Sequence, residues 1–132
     1  MKKLLASLTP VLLSALRIVA AFLLMAHGTQ KLFGLPATEP RDPVALMSLL
    51  GTAGVLETFG GLLLLVGLYT RPVAFVLAGL MAAAYFTSHA PRGFWPILNR
   101  GELAALFSFV FLYLSAAGGG PLNLDAWFRK VR

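Results

Sequence analysis

The sequence predicts an all-α, polytopic membrane protein built as an antiparallel bundle of four transmembrane helices. Three observations carry that expectation. The 132-residue chain is 58% apolar and only 12% charged, about half the charge a water-facing domain carries. Its apolar residues gather into four long blocks bounded by proline, glycine or cations. Most cations stand at block ends, where lipid headgroups and the rules of membrane insertion favour them. The length accommodates one domain, and residues 1–132 are read as one.

The first helix is expected over residues 4–28, enough to cross a hydrocarbon core of roughly 30 Å. Lys2 and Lys3 ahead of an apolar run resemble a signal peptide, but Arg17 interrupts the run, which then continues to Met25. An uncleaved helix is therefore expected. Pro36, Pro40 and Pro43 punctuate a loop from Phe33 to Pro43. The second helix, 44–69, carries Gly51, Gly54, Gly60, Gly61 and Gly67, which would weaken a helix in water but permit close helix approach in lipid.

Thr70-Arg71-Pro72 predicts a tight turn, with Thr70 or Arg71 as cap and Pro72 in the first turn of a third helix, 72–89. Ala74, Ala78 and Ala82 recur every fourth position along it and predict a helix–helix contact stripe. Phe94, Trp95 and the prolines around them suit a membrane–water interface. Asn99 followed by Glu102 reads as a capping box opening the fourth helix, 102–117, which stops at Gly118-Gly119-Gly120-Pro121. The tail, 122–132, predicts a short amphipathic surface helix with Leu124, Trp127 and Phe128 toward lipid and Arg129, Lys130 and Arg132 outward.

In an up-down arrangement Lys2, Lys3, Arg71, Arg129, Lys130 and Arg132 share one side. Lys31, Arg41, Arg92 and Arg100 share the other, with Glu39, Asp42 and Glu102. That bias predicts that both termini are cytoplasmic. The net charge of +6 does not point to nucleic acid, because no basic stripe is interleaved with aromatics. No cysteine is present, which excludes thiol exchange, iron–sulfur clusters and zinc–cysteine sites.

Ionisable residues within the apolar blocks are the candidate functional groups. Counting from Leu8, Arg17 is roughly 14 Å deep, and Glu57 is roughly 15 Å from the same face at 1.5 Å per residue. An Arg17–Glu57 ion pair is therefore expected, as a register clamp or as part of a site. Nearer the opposite face, His27, Lys31, Tyr85, His89 and Glu102 fall at one depth and form a candidate ligand-binding cluster. The bland alternatives are a snorkelling Lys31, an interfacial Tyr85 and a Glu102 that only caps.

Imidazole and amine donors with lipid access suit a quinone headgroup. A bis-histidine haem needs both rings facing the bundle centre, and a metal site lacks a close His pair, so both are disfavoured. No nucleophile motif is present, and no catalytic residue is assigned.

Several motifs carry a family resemblance. They are Arg17 with the run Ala26 to Gly34, Glu57 with Gly60-Gly61, and Gly67-Leu68 with Thr70-Arg71, followed by His89 to Pro96 and Asn99 with Gly101-Glu102-Leu103. In this order, from about Leu12 to Leu124, they resemble the DoxX family. The resemblance implies a four-helix bacterial inner-membrane protein. The family's name derives from a subunit of a membrane thiosulfate:quinone oxidoreductase, and many members are accessory proteins encoded beside oxidoreductases or stress functions. Its polar positions map onto Arg17, His27, Gln30, Lys31, Glu57, His89, Asn99 and Glu102. The leading expectation is an oxidoreductase subunit or quinone-interacting redox accessory protein in the lipid bilayer, with a protein partner or as a homo-oligomer. The alternatives are a non-enzymatic scaffold that recruits a partner enzyme and, less favoured, a small-molecule transporter.

Overall fold

A computed structural model describes every residue except Thr38, Arg41, Pro43 and Arg132. The sequence-based placements of Arg41, Pro43 and Arg132 therefore lie outside the described residues. Regular structure among the described residues is helical throughout: α1 (Lys2–Phe33), α2 (Leu49–Val66), α3 (Thr70–Ala84), α4 (Pro96–Asn99), α5 (Glu102–Ala117) and α6 (Leu124–Val131). Between α3 and α4 the chain widens into a π-helical turn at Tyr85–His89 and then tightens into a 3-10 turn at Ala90–Arg92. Among the described residues three helical stretches, Lys2–Phe33, Leu49–Val66 and Thr70–Arg92, are long and apolar enough to cross a membrane, and α5 adds a shorter apolar helix of 16 residues.

Helix boundaries follow local chemistry. α1 ends where Gly34 takes a left-handed conformation, φ 65°, so Lys31 lies within the helix. α2 begins later than the hydropathy suggests, because Ser48 caps it by accepting the Gly51 N–H at 3.0 Å. It ends at Gly67, φ 72°. The expected cap of α3 by Thr70 or Arg71 is not what forms: Tyr69 occupies the cap position at φ 51°, with no cap bond from its own side chain.

Close backbone approach holds α1 against α2. A Cβ on Gly28 would stand 2.6 Å from the Thr58 nitrogen, and one on Gly61 would stand 2.5 Å from Met25 Cγ. Gly54 meets Lys31 and Leu32 one step further, so the two helices run antiparallel. The alanine stripe does for α3 what these glycines do for α2. Ala74 and Ala78 are buried, and Ser108 of α5 donates to the Ala78 carbonyl at 3.1 Å. α1 packs chiefly on α2 and α3 chiefly on α5. Leu24, Leu64, Leu77, Met81, Phe107, Phe111 and Leu114 fill the core between them.

Outward, the helices present Leu16, Val19, Phe22, Phe59, Phe75, Phe86 and Phe109. A surface so apolar over every long helix is matched by lipid, not water. One end of the molecule carries the turns Gly67–Thr70 and Gly118–Leu122 and is called the turn end below. The other, with Lys31, the segment after α1 and Phe94–Trp95, is the loop end. The N-terminal part of α1 projects past the turn end, since Gly120 already lies against Pro10 and Ser14.

Candidate functional site

Three polar clusters stand among these helices, and the structure sorts the sequence-predicted residues between them. At the turn end Arg17 is 1% exposed. Its Nη1 donates to the Gly119 carbonyl at 2.6 Å, and its Nη2 donates to Leu122 at 2.6 Å and to Leu65 at 3.4 Å. Ser14, one turn earlier, accepts the Leu122 N–H and donates to Gly119. The guanidinium thus clamps the glycine turn after α5 onto α1.

The expected Arg17–Glu57 pair is corrected by this arrangement. Depth counted from Leu8 assumed that α1 and α2 enter the membrane level with each other. Instead α1 overhangs, and Arg17 lies beside Gly67 at the end of α2, where a Gly67 Cβ would meet Nη1 at 2.6 Å. Glu57 is ten residues further along α2, roughly 15 Å away at the helical rise. Side chains also lean toward the N-terminus of their own helix. In antiparallel neighbours that aims Arg17 toward the turn end and Glu57 toward the loop end, so they point apart.

The same lean brings Lys31 and Glu57 together. Lys31 Nζ lies 2.6 Å from Glu57 Oε1, with the carboxylate buried and the lysine partly accessible from the loop end. Glu57 Oε2 is buried with no hydrogen-bond partner among the described residues. A half-satisfied carboxylate inside an apolar helix pair is costly, which marks it for attention.

The third cluster surrounds the π-helical turn. Widening the helix sets Tyr85 and His89 in a stacked arrangement, centroids 6.5 Å apart. His89 Nδ1 lies 3.1 Å from the Asn99 carbonyl. A carbonyl only accepts, so Nδ1 carries the proton and Nε2 of the neutral ring is left as an acceptor. Asn99 itself is fully buried: its Nδ2 donates to Gly93 at 2.8 Å and to the Tyr85 hydroxyl at 3.4 Å, and its Oδ1 accepts the Gly101 N–H at 2.8 Å. These bonds correct the predicted capping box. Asn99 ends α4 rather than opening α5, and Gly101 takes the cap position of α5 without a side-chain bond.

The depth-matched set of His27, Lys31, Tyr85, His89 and Glu102 is therefore divided. Lys31 belongs with Glu57 on α1 and α2, and Tyr85 and His89 belong with Asn99 beyond α3. His27 and Glu102 are exposed, and their side chains make no hydrogen bond among the described residues. Among those residues no group of three His, Cys, Asp or Glu is placed to hold a metal ion.

Sequence reasoning overlooked Asp125. Its two carboxylate oxygens accept the N–H groups of Tyr69 and Thr70 at 2.8 and 2.9 Å, while its own N–H donates to Gly67 at 3.0 Å. The tail helix thereby caps α3 from more than fifty residues away, which no local cap pattern reveals. Partial burial pushes the Asp125 carboxyl up, but the Thr70 and Tyr69 N–H groups and nearby Arg129 outweigh it and hold the group below its ordinary value. The docking of α6 is thus complete above the ordinary carboxylate value of about 3.9 and is lost as pH falls through the lowered one. Replacing Asp125 with alanine is expected to cost about 1 kcal/mol. The change is read as faster amide exchange in α6 and the first turn of α3, with the rest of α3 unchanged.

The long apolar helices, with the buried Arg17 and the Lys31–Glu57 ion pair between them, define a polytopic α-helical membrane protein. The chain belongs to the DoxX family: the DoxX family model matches residues 12–90. It is also 43% identical over 130 residues to an uncharacterized protein of Haemophilus influenzae (strain Rd), covering 92% of this chain and 93% of that one. No solved structure matches.

Proposed function

We propose that this protein is a quinone-interacting redox accessory protein or oxidoreductase subunit of the bacterial inner membrane. All four long helices, α1, α2, α3 and α5, cross the bilayer as an antiparallel bundle with both termini cytoplasmic. Lys2, Lys3, Arg71, Arg129 and Lys130 at the turn end support that orientation.

The observation that carries the redox reading is the 3.1 Å contact of His89 Nδ1 with the Asn99 carbonyl. With Nδ1–H donated to Asn99, Nε2 accepts a proton from a quinol hydroxyl, or donates to a quinone carbonyl when the ring is charged. Tyr85 stacks beside it as an aromatic wall. Lys31 and Glu57, at the same end on the other helix pair, supply an amine donor and a buried carboxylate acceptor, the two hydrogen-bonding types that the quinone–quinol couple alternately needs. Without cysteine, the electrons come from a partner protein or its cofactor.

The test is binding. Purified protein in nanodiscs is expected to retain quinone on extraction and to bind added short-chain quinone, quenching the loop-end Trp95. His89→Ala is expected to weaken that binding about tenfold, the loss of one good hydrogen bond. Neither retained nor added quinone binding in the wild type would sink the reading.

A scaffold reading is favoured by one observation: Leu4, Leu5, Leu8 and Leu12 are exposed on the part of α1 that reaches toward and past the turn end. As a scaffold the protein would tolerate His89→Ala and lose function on removal of the tail.

A further inference from the structure

At the turn end a groove of about 820 Å³ opens between the α2–α3 turn, the glycine turn after α5, and α6. Arg71 and Arg129 line it, together with the apolar side chains of Leu13, Leu68 and Phe128. Arg71 lies across Gly118, where an added Cβ would be 3.5 Å from Nη2 and 3.7 Å from Nε. Its Nη1 is committed to the carbonyls of Ala116 and Ser115. The opposite, side-on edge of the guanidinium, Nε with Nη2, makes no hydrogen bond among the described residues. That edge is the one that binds a carboxylate or phosphate through two parallel bonds.

The charge around the groove favours an anion. Among the described residues Arg129 bonds only through Nε, to the Asp125 carbonyl, and its terminal nitrogens make no hydrogen bond. The acid of the groove, Asp125, is already occupied by the N–H groups of Tyr69 and Thr70.

We propose that this groove binds the phosphate of an anionic phospholipid from the surrounding bilayer. The phosphate lies against the side-on edge of Arg71 with Arg129 beside it, and an acyl chain lies against Leu13 and Phe128. A lipid fits better than a free anion for two reasons. The groove lies at the end of apolar, membrane-length helices, and its apolar side chains have no use for inorganic phosphate. α6 also presents Trp127 and Phe128 outward, as an interfacial helix does. The bound lipid would tie α6 to α3 at the contact Asp125 already makes.

Native mass spectrometry of the detergent-solubilised chain, offered phosphatidylglycerol or phosphatidylcholine, tests this. The expected result is retention of phosphatidylglycerol over phosphatidylcholine, with Arg71→Gln weakening it about tenfold, the loss of one charge-assisted fork. Arg129→Gln guards against a folding defect at Arg71, because its one bond is within α6; it is expected to reduce the preference severalfold with the mass-resolved fold intact. Equal retention of the two lipids, or no effect of either substitution, overturns the proposal. Millimolar phosphate or glycerol 3-phosphate displacing the lipid also overturns it, by making the groove a site for soluble anions.

Discussion

Arg17→Ala is expected to destabilise the protein by about 3–5 kcal/mol, the combined loss of charge-assisted hydrogen bonds to backbone carbonyls and of a large buried side chain. The side chain satisfies the carbonyls of Gly119 and Leu122 with two different nitrogens, each at 2.6 Å, and also reaches Leu65. Truncation leaves the Leu122 carbonyl without this donor, leaves Gly119 with Ser14 alone, and opens a cavity under the glycine turn, so the desolvation and packing losses act together. Arg17→Lys recovers little, because a single ammonium on a flexible stem does not span two acceptors that a planar fork bridges. Equilibrium unfolding in mixed micelles, following helix content, measures the difference. An Arg17→Lys protein as stable as the wild type would show that charge alone, without the fork, holds the turn.

The second large effect concerns Lys31 and Glu57, where the sign depends on which partner is removed. Lys31→Met leaves a carboxylate that is 2% exposed without its counter-charge and is expected to cost about 3 kcal/mol. Adding Glu57→Gln to that variant is expected to recover most of the loss, since a neutral amide at the same place no longer needs a cation. The double-mutant cycle isolates the pair, because Lys31 Nζ–Glu57 Oε1 is the one salt bridge among the described residues. If the two single substitutions simply add, the pair is not coupled and Lys31 only snorkels to the interface.

Both sites show how far the chain could be read without its fold. That Arg17 and Glu57 required partners was legible, because a charge in an apolar block is expensive wherever the block lies. Which partners they found was not. The answer depended on the stagger of α1 against α2, fixed by contacts such as Gly61 on Met25 and Gly28 on Thr58. Shifting one helix by its overhang exchanges neighbours without changing any helix's own pattern. Lys31 could be read only as one of several groups near the loop end, and it turned out to be the one that reaches Glu57.

By itself the sequence determined the all-helical class, the long apolar segments, their proline and glycine ends, the alanine contact stripe of α3 and the amphipathic tail. Each of these rests on local properties: the rise per residue, the cost of exposing backbone to lipid, and the conformations that glycine and proline permit. Asn99 shows where local reading fails, since its spacing to Glu102 suggested a cap while the fold buries its amide among Tyr85, Gly93 and Gly101. Only the tertiary structure decided the clamp of Arg17 on the glycine turn, the division of the loop-end cluster between two helix pairs, and the capping of α3 by Asp125. Those features join residues far apart in the chain, and their geometry is set by helix stagger and side-chain direction, which no sequence window contains.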